Sequence, residues 1–250
     1  MAIQIPYNFN PNELNPQAIH VLKHPARFQV LNWHRKARKT TLAINQLVRW
    51  ANVFKSPFWY VGPSYGLAKD TIWNDPNMLP RYVPDWNNPD SSLIRKQITE
   101  LRVDFLHSGG QLYVYGADRP ELMRGPNPLG VVLDEFSVQK REVWELIVQP
   151  IMRANPYAWC WFLFTPFGKN HAWQLFQRGL DPMSKDWKSW KLTVYESGVM
   201  TGDSIDGARR EMAQSTFNQE MLCEFLEGAG QVFRGVREIC TAQPQKPDPV

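Results

Sequence analysis

Hydrophobic positions along the chain follow two different periods, and their order predicts an α/β fold. Short, continuously apolar runs bounded by turn residues predict buried strands, whereas apolar positions three and four residues apart predict helices. The predicted strands cover 28–33, 57–63, 129–137, 158–164 and 187–197. The predicted helices cover 39–54, 140–155, 170–180 and 215–226, and another helix is predicted to begin at Tyr65 after Pro63-Ser64.

This alternation predicts a mainly parallel central sheet with helices on both faces. Segment 98–117 departs from it, because two short strands around Ser108-Gly109-Gly110 predict an antiparallel hairpin. The longest apolar run, 158–164, is typical of a central parallel strand and is far too short to cross a bilayer. We expect residues 1–240 to form one domain and the polar, proline-rich end 241–250 to begin a linker toward a further domain that the sequence lacks.

Composition and charge narrow the functional classes only moderately. The 43% hydrophobic content is enough for one sizeable core, and the formal net charge of +4 permits contact with nucleic acid without requiring it. Cys160, Cys223 and Cys240 lie far apart, so the sequence predicts neither a disulfide framework nor a zinc site. No signal peptide is recognisable at the N-terminus. These features predict a soluble intracellular protein in a reducing compartment.

The stretch LNWHRKARKTT, residues 31–41, is the first candidate for chemistry. Lys39 and Thr40 follow a predicted strand and begin a predicted helix, where a phosphate loop places its lysine and its Mg²⁺-binding hydroxyl. The pattern G-x-x-x-x-G-K-[ST] has glycines where this chain has Trp33 and Arg38. A solvated basic turn that caps the helix explains the stretch equally well, and we expect His34 to be solvated. Most tryptophans are expected in the core. Trp33 is the exception, because it occupies a glycine position of the loop pattern.

Two later strands end in polar residues. LGVVLDEF places Asp134 and Glu135 at the carboxyl end of an apolar strand, where open α/β sheets bind ligands. One acid suits holding Mg²⁺ and the other suits deprotonating an attacking water; an ordinary polar strand end is the alternative. The strand in WFLFTPFGKNH ends at Thr165, which can face a γ-phosphate, although a plain turn with a helix cap at Asn170 explains that stretch too.

From about Asn15 to Phe233, the chain resembles the ATPase domain of viral large terminase subunits, the motors that pump double-stranded DNA into procapsids. VVLDEF resembles the Walker B strand of that family, and FLFTPFGKNH resembles its coupling motif. GADRPELMRG, residues 116–125, resembles the loop that precedes Walker B, and NPQAIHVLKH resembles the adenine-recognition segment. Arg35 stands four residues before Lys39, as an arginine often does in terminase phosphate loops.

The resemblance implies a role for each of these residues. Glu135 would be the catalytic base, Arg124 an arginine finger that reaches a neighbouring subunit, and Thr165 the polar centre of the coupling motif. The residues implied to contact ATP are Gln17, Arg35, Lys39, Thr40 and Thr41, and those implied to hold Mg²⁺ are Thr40 and Asp134. Whether Arg35 or Arg124 acts in trans stays open.

The resemblance also implies the wider setting. The fold would be a P-loop NTPase of the additional-strand, catalytic-glutamate type, and the absent C-terminal domain would be a nuclease. The implied cofactors are ATP and Mg²⁺, and the implied partners are double-stranded viral DNA, a portal protein and the small terminase subunit. The chain would act in the host cytoplasm as a homo-oligomeric ring, or be a monomer as an isolated domain. The alternatives are a non-hydrolysing nucleotide- or DNA-binding module and a P-loop helicase or translocase unrelated to packaging.

Overall fold

The computed structural model describes residues 14–123 and 127–227, and these contain one eight-stranded sheet. The strands are β1 (Phe28–Trp33), β2 (Pro57–Gly62), β3 (Ile94–Gln97), β4 (Arg102–Phe105), β5 (Gly110–Gly116), β6 (Gly130–Asp134), β7 (Trp159–Phe164) and β8 (Trp187–Leu192). Their order across the sheet is β3-β4-β5-β2-β6-β7-β1-β8.

The α-helices of the described residues connect these strands. They are α1 (Ala18–Lys23), α2 (Lys39–Ala51), α3 (Tyr65–Ala68), α4 (Leu79–Tyr82), α5 (Gln149–Ala154), α6 (His171–Leu180), α7 (Val194–Ser197), α8 (Gly202–Glu211) and α9 (Gln214–Glu220). Helix α3 continues as a π-helical turn over Lys69–Trp73, and a second π-helical segment, Val143–Val148, precedes α5. Short 3₁₀ helices cover Pro120–Met123 and Phe136–Val138.

The predicted fold class is confirmed. Strands β5, β2, β6, β7, β1 and β8 pair in parallel, and β3 and β4 extend the sheet in antiparallel pairing at one edge. Strand β7 lies between β1, which leads into the basic loop, and β6, which ends in the acids. This inserted strand is the additional strand of the predicted P-loop NTPase type.

Two hydrophobic clusters show that helices cover both faces of the sheet. Side chains of α2, such as Leu42 and Leu47, belong to one cluster, whereas Met152 of α5 and Phe176 of α6 belong to the other. Trp33 is fully buried in the first cluster, so the expectation that it would be an exception among the tryptophans was wrong. No described helix combines the length and the apolar character needed to span a bilayer.

The hairpin over 98–117 is confirmed, but its outer neighbour β3 was not predicted. Strand β4 pairs with β5 in antiparallel register, and Gly109 takes the left-handed conformation in the turn between them. Strand β3 has the sequence IRKQ, and only Ile94 is buried. A largely polar edge strand shows no apolar period, which explains why the sequence did not reveal it.

Three elements differ from prediction because of local chemistry. The strand predicted over 187–197 ends at Leu192, because Thr193 and Glu196 form a capping box that starts α7. Strand β6 ends at Asp134, since Glu135 adopts a left-handed conformation. The helix predicted over 140–155 is partly π-helical, and its register changes near Pro150, which has no N–H to donate. Helix α8 was not predicted.

We expect Phe162→Ala to lower the free energy of unfolding by about 3–5 kcal/mol, because it leaves a cavity in the core. Phe162 is fully buried in β7 and packs against Phe136 and Trp144. The matched control is Phe167→Ala, whose side chain is half exposed and which we expect to change stability far less. Chemical denaturation of both variants measures this, and equal losses would contradict the assignment of the core.

Candidate functional site

The carboxyl ends of β1, β7 and β6 lie side by side, and they bring the predicted site residues to one edge of the sheet. A cavity of about 540 Å³ opens there. The predicted residues that line it are Arg35, Lys39, Thr40, Thr41, Asp134 and Glu135. The opposite wall comes from α3, the π-helical turn after it and the following loop.

Lys39 begins α2 and lies at the centre of this arrangement with only 6% of its surface exposed. Its Nζ donates to Thr165 Oγ1 at 3.1 Å and to the Trp33 carbonyl at 3.5 Å. Glu135 Oε1 lies 3.9 Å from the same nitrogen. The ammonium group therefore joins the basic loop to the ends of both neighbouring strands, and it is positioned to neutralise an anion in the cavity.

Asp134 accepts hydrogen bonds from three directions. Thr40 Oγ1 donates to its Oδ2 at 2.7 Å, and the Tyr60 hydroxyl donates to the same oxygen at 2.8 Å. The backbone N–H of Glu135 donates to Oδ1 at 2.9 Å. A hydroxyl and a carboxylate in contact are the hard oxygen donors that Mg²⁺ prefers, so Thr40 and Asp134 fit the predicted metal site.

Tyr60 was missed by sequence reasoning. It lies on β2 in the apolar run PFWYVG, only 3% of its surface is exposed, and its hydroxyl reaches the cavity. Burial, together with the neighbouring Asp134, raises the pKa of Tyr60 well above its usual value, so the phenol stays a donor. In the sequence, a tyrosine inside an apolar strand looks the same whether it is an ordinary core residue or contacts a site.

Glu135 follows β6 in a left-handed conformation with φ of 51°. This turn directs its carboxylate to the Lys39 side of the cavity, where 44% of the side chain stays exposed. Burial raises the pKa of Glu135 above its usual value; Lys39 lowers it, and Asp134 and Glu220 raise it further. A carboxylate with a raised pKa that faces an open cavity can accept a proton from water.

The basic loop reaches its conformation without glycine. Lys36 and Arg38 have φ values of 72° and 64°, in the left-handed region that glycine adopts at least cost. The loop backbone is fixed by neighbours, since Ala37 N–H donates to the His34 carbonyl at 3.1 Å and Asn15 Nδ2 donates to the Ala37 carbonyl at 2.9 Å. The glycine position filled by Arg38 therefore keeps the backbone form that glycine favours.

His34 lies beneath this loop and is fully buried, so the expectation that it would be solvated was wrong. Its backbone N–H donates to the Leu192 carbonyl at 2.9 Å, which ties the loop to the end of β8. Burial lowers the pKa of His34, and the nearby Lys39 lowers it further, against a rise from the Arg35 backbone. The imidazole is therefore a neutral, buried group beneath the loop.

The last residue of α9 and the three residues after it contact the loop and its strand; we name residues 220–223 the supporting segment. The Arg35 N–H donates to the Glu220 carbonyl at 2.9 Å, and the Arg35 guanidinium lies 4.0 Å from the Glu220 carboxylate. Asn32 Nδ2 donates to the Cys223 carbonyl at 3.1 Å. Arg35 therefore lines the cavity while its backbone is fixed to this distant segment.

Thr165 is connected to the residues that follow Glu135. Ser137 Oγ donates to the Thr165 carbonyl at 2.9 Å, and Asn170 Nδ2 donates to the Ser137 carbonyl at 2.7 Å. Asn170 also caps α6, because its side-chain oxygen accepts from the Ala172 N–H. The helix-cap explanation of Asn170 is thus confirmed, and it coexists with a polar network behind Thr165.

The remaining predicted residues lie apart from the cavity or outside the described chain. Gln17 immediately precedes α1 and donates from Nε2 to the Lys191 carbonyl at 2.7 Å, near the carboxyl end of β8. It shares the sheet edge with the loop but does not line the cavity. Arg124 lies outside the described residues, as does the predicted linker 241–250.

Comparisons with known proteins concern the fold. No protein-family model matches the chain, and no curated protein matches it by sequence. Among solved structures, the Thermus phage P74-26 large terminase ATPase domain is similar with a TM-score of 0.69 and 20% identity. That similarity covers 84% of this chain and 92% of the phage domain.

Two longer large terminases are similar as well. One, from a thermophilic bacteriophage and solved in complex with ADP, has a TM-score of 0.65 and 15% identity over 85% of this chain and 54% of its own. That of bacteriophage HK97 has a TM-score of 0.61 and 12% identity over 89% of this chain and 52% of its own. This chain thus spans about half of each. The predicted resemblance is confirmed at the level of structure: the chain has the fold of the ATPase domains of phage large terminases.

Proposed function

We propose that this chain is an ATP-hydrolysing motor domain that drives viral double-stranded DNA into a procapsid. One observation carries the proposal: Thr40 is hydrogen-bonded to Asp134, the buried Lys39 lies 3.9 Å from Glu135, and all four residues line a single cavity. Phosphoryl transfer depends mainly on positioning and charge stabilisation, and this arrangement supplies both. The similarity in fold to terminase ATPase domains supports the choice of packaging over other motors.

The chain's own residues define how ATP would be held. Lys39 would exchange its contacts with Thr165 and Glu135 for oxygens of the β- and γ-phosphates, and Thr41 and Arg35 would line the phosphate path. The N–H groups at the start of α2 favour an anion at this position. Gln17, on the same sheet edge, would contact the adenine base, as the resemblance implies.

Thr40 and Asp134 would hold Mg²⁺, which when bound neutralises charge that develops on the phosphate oxygens. Glu135 would orient the attacking water and accept its proton at the carboxylate. The contact with Lys39 occupies Glu135 before ATP arrives. When the lysine turns to phosphate, the carboxylate is released for water, which links base activity to nucleotide binding.

Thr165 would report the state of the γ-phosphate. Its hydroxyl accepts from Lys39, and its carbonyl accepts from Ser137, whose own carbonyl accepts from Asn170 at the cap of α6. A change in the contacts of Lys39 would therefore be transmitted through these hydrogen bonds to α6, which lies outside the cavity. We assign the coupling of hydrolysis to movement to this route.

The assembled motor would be a homo-oligomeric ring in which Arg124 completes a neighbouring subunit's site. Its partners would be viral double-stranded DNA, the portal protein and the small terminase subunit, in the host cytoplasm and transiently on the procapsid. Residues 1–240 would form the motor domain, and 241–250 would lead toward a nuclease domain. The two longer phage terminases, of which this chain spans about half, support the view that such a domain is part of a longer protein.

Lys39→Ala should weaken ATP binding by at least an order of magnitude, because it removes the charge at the centre of the cavity. Titration with a fluorescent ATP analogue measures this. The control is Lys55→Ala, an exposed lysine between α2 and β2 that does not line the cavity and should bind as the wild type does. Unchanged binding by the Lys39 variant would remove the phosphate-loop assignment.

Glu135→Gln should lower the rate of ATP hydrolysis by about 10²–10⁴-fold while ATP binding persists, because only proton transfer is lost. Steady-state phosphate release and analogue binding separate these effects. The control is Glu145→Gln, which removes a carboxylate paired with Arg141 outside the cavity. A non-hydrolysing binding module would instead show ATP binding and no turnover in the wild type at any protein concentration.

Arg124→Ala should lower hydrolysis by about 10³–10⁵-fold if its guanidinium acts in trans. Specific activity of the wild type should rise with protein concentration, since each site needs a neighbour. Mixing the Arg124→Ala and Glu135→Gln proteins should restore part of the activity, because some interfaces then combine an intact Glu135 with an intact Arg124. No recovery on mixing, with both proteins folded, would show that Arg124 does not act across an interface.

A further inference from the structure

We propose that Tyr60 is a positioning residue that holds the carboxylate of Asp134 in the orientation in which it binds Mg²⁺. The inference rests on the proposed function and adds a residue to it. It is carried by one contact, the hydrogen bond of 2.8 Å from the Tyr60 hydroxyl to Asp134 Oδ2. Residues that orient a metal ligand from behind govern metal affinity although they do not touch the metal.

The sheet fixes the phenol relative to the carboxylate. Strands β2 and β6 are parallel neighbours, and Tyr60 is in register with Val132, two residues before Asp134. The tyrosine ring is buried in the hydrophobic cluster that also contains α2. Neither its backbone nor its ring can shift without disturbing central strands, so the hydroxyl is a fixed donor.

The donors around Asp134 differ in what they would do when Mg²⁺ binds. Thr40 Oγ1 donates to Oδ2, and as a metal ligand it would also present a lone pair to the ion. The Glu135 N–H occupies the other oxygen, Oδ1. The Tyr60 hydroxyl is the side-chain donor to Asp134 that has no part in metal binding, and the carboxylate keeps a lone pair on Oδ1 for the ion.

The chemical type of the donor also suits this role. A lysine or arginine at this position would neutralise Asp134 and compete with the cation. A phenol donates a hydrogen bond without bringing a positive charge, so the carboxylate keeps its attraction for Mg²⁺. A phenylalanine, such as Phe58 on the same strand, would fill the core as well. Packing of the core therefore does not require the Tyr60 hydroxyl.

The test compares Tyr60→Phe with Tyr113→Phe. Both substitutions remove one hydroxyl from a buried strand tyrosine of the same sheet, but Tyr113 donates to Gln111 and does not line the cavity. Binding of a fluorescent ADP analogue is titrated with Mg²⁺ and repeated in EDTA. Thermal unfolding of each variant is recorded without ligand.

We expect Tyr60→Phe to raise the Mg²⁺ concentration for half-maximal binding by about 10-fold or more. Binding in EDTA should match the wild type, and Tyr113→Phe should match it under both conditions. An unchanged Mg²⁺ midpoint in Tyr60→Phe, or an equal loss of binding in EDTA, would overturn the positioning role alone. A wild-type chain that binds no analogue with Mg²⁺ would overturn the proposed function and this inference with it.

Discussion

A lysine ammonium group buried at the meeting point of three strand ends is the interaction on which this site depends. An isolated charge in a protein interior is costly unless polar partners surround it. The partners of Lys39 come from the end of β1, from Thr165 after β7 and from Glu135 after β6. They meet only in the observed parallel register, in which Asp134 pairs with Leu163. The register that surrounds the Lys39 ammonium group with polar partners is therefore the same register that assembles the site.

The same geometry explains how much could be read from the sequence. Parallel strands end at a common edge, so polar residues directly after apolar runs could be assigned to one site from their order along the chain alone. Asp134, Glu135 and Thr165 were placed at one sheet edge in this way, Lys39 and Thr40 were added from the phosphate-loop pattern, and the sheet type followed from the order of the runs. The sheet type needed only the strand period and the direction of pairing, whereas the roles of the site residues also needed the resemblance to terminases.

The residues that sequence reasoning missed depend on contacts between distant segments. Tyr60 resembles any core aromatic until β2 is placed beside β6. His34 stands among basic residues, which suggested exposure, but it is fully buried and its backbone is hydrogen-bonded to Leu192 at the end of β8. Strand β3 exists because β4 offers an edge, not because of its own apolar pattern. In each case the deciding partner lies outside the local stretch of sequence.

The glycine-poor loop shows how a disfavoured backbone can be kept. A non-glycine residue in the left-handed region costs roughly 1–2 kcal/mol, and the loop contains two, Lys36 and Arg38. Such strain persists where surrounding contacts determine the backbone. Asn15 supplies one such contact to the loop, and the supporting segment supplies another.

The supporting segment gives the loop a thermodynamic link to the end of α9. Hydrogen bonds join it to Arg35 of the loop and to Asn32 of β1, so a displacement of the loop backbone would disturb this segment directly. Linkage is reciprocal: if nucleotide binding changes how firmly residues 220–223 are held, then an effector that immobilises this segment must change nucleotide affinity by the same factor. A ligand bound at residues 220–223 would then act on the cavity through Arg35, which contacts this segment and lines the cavity.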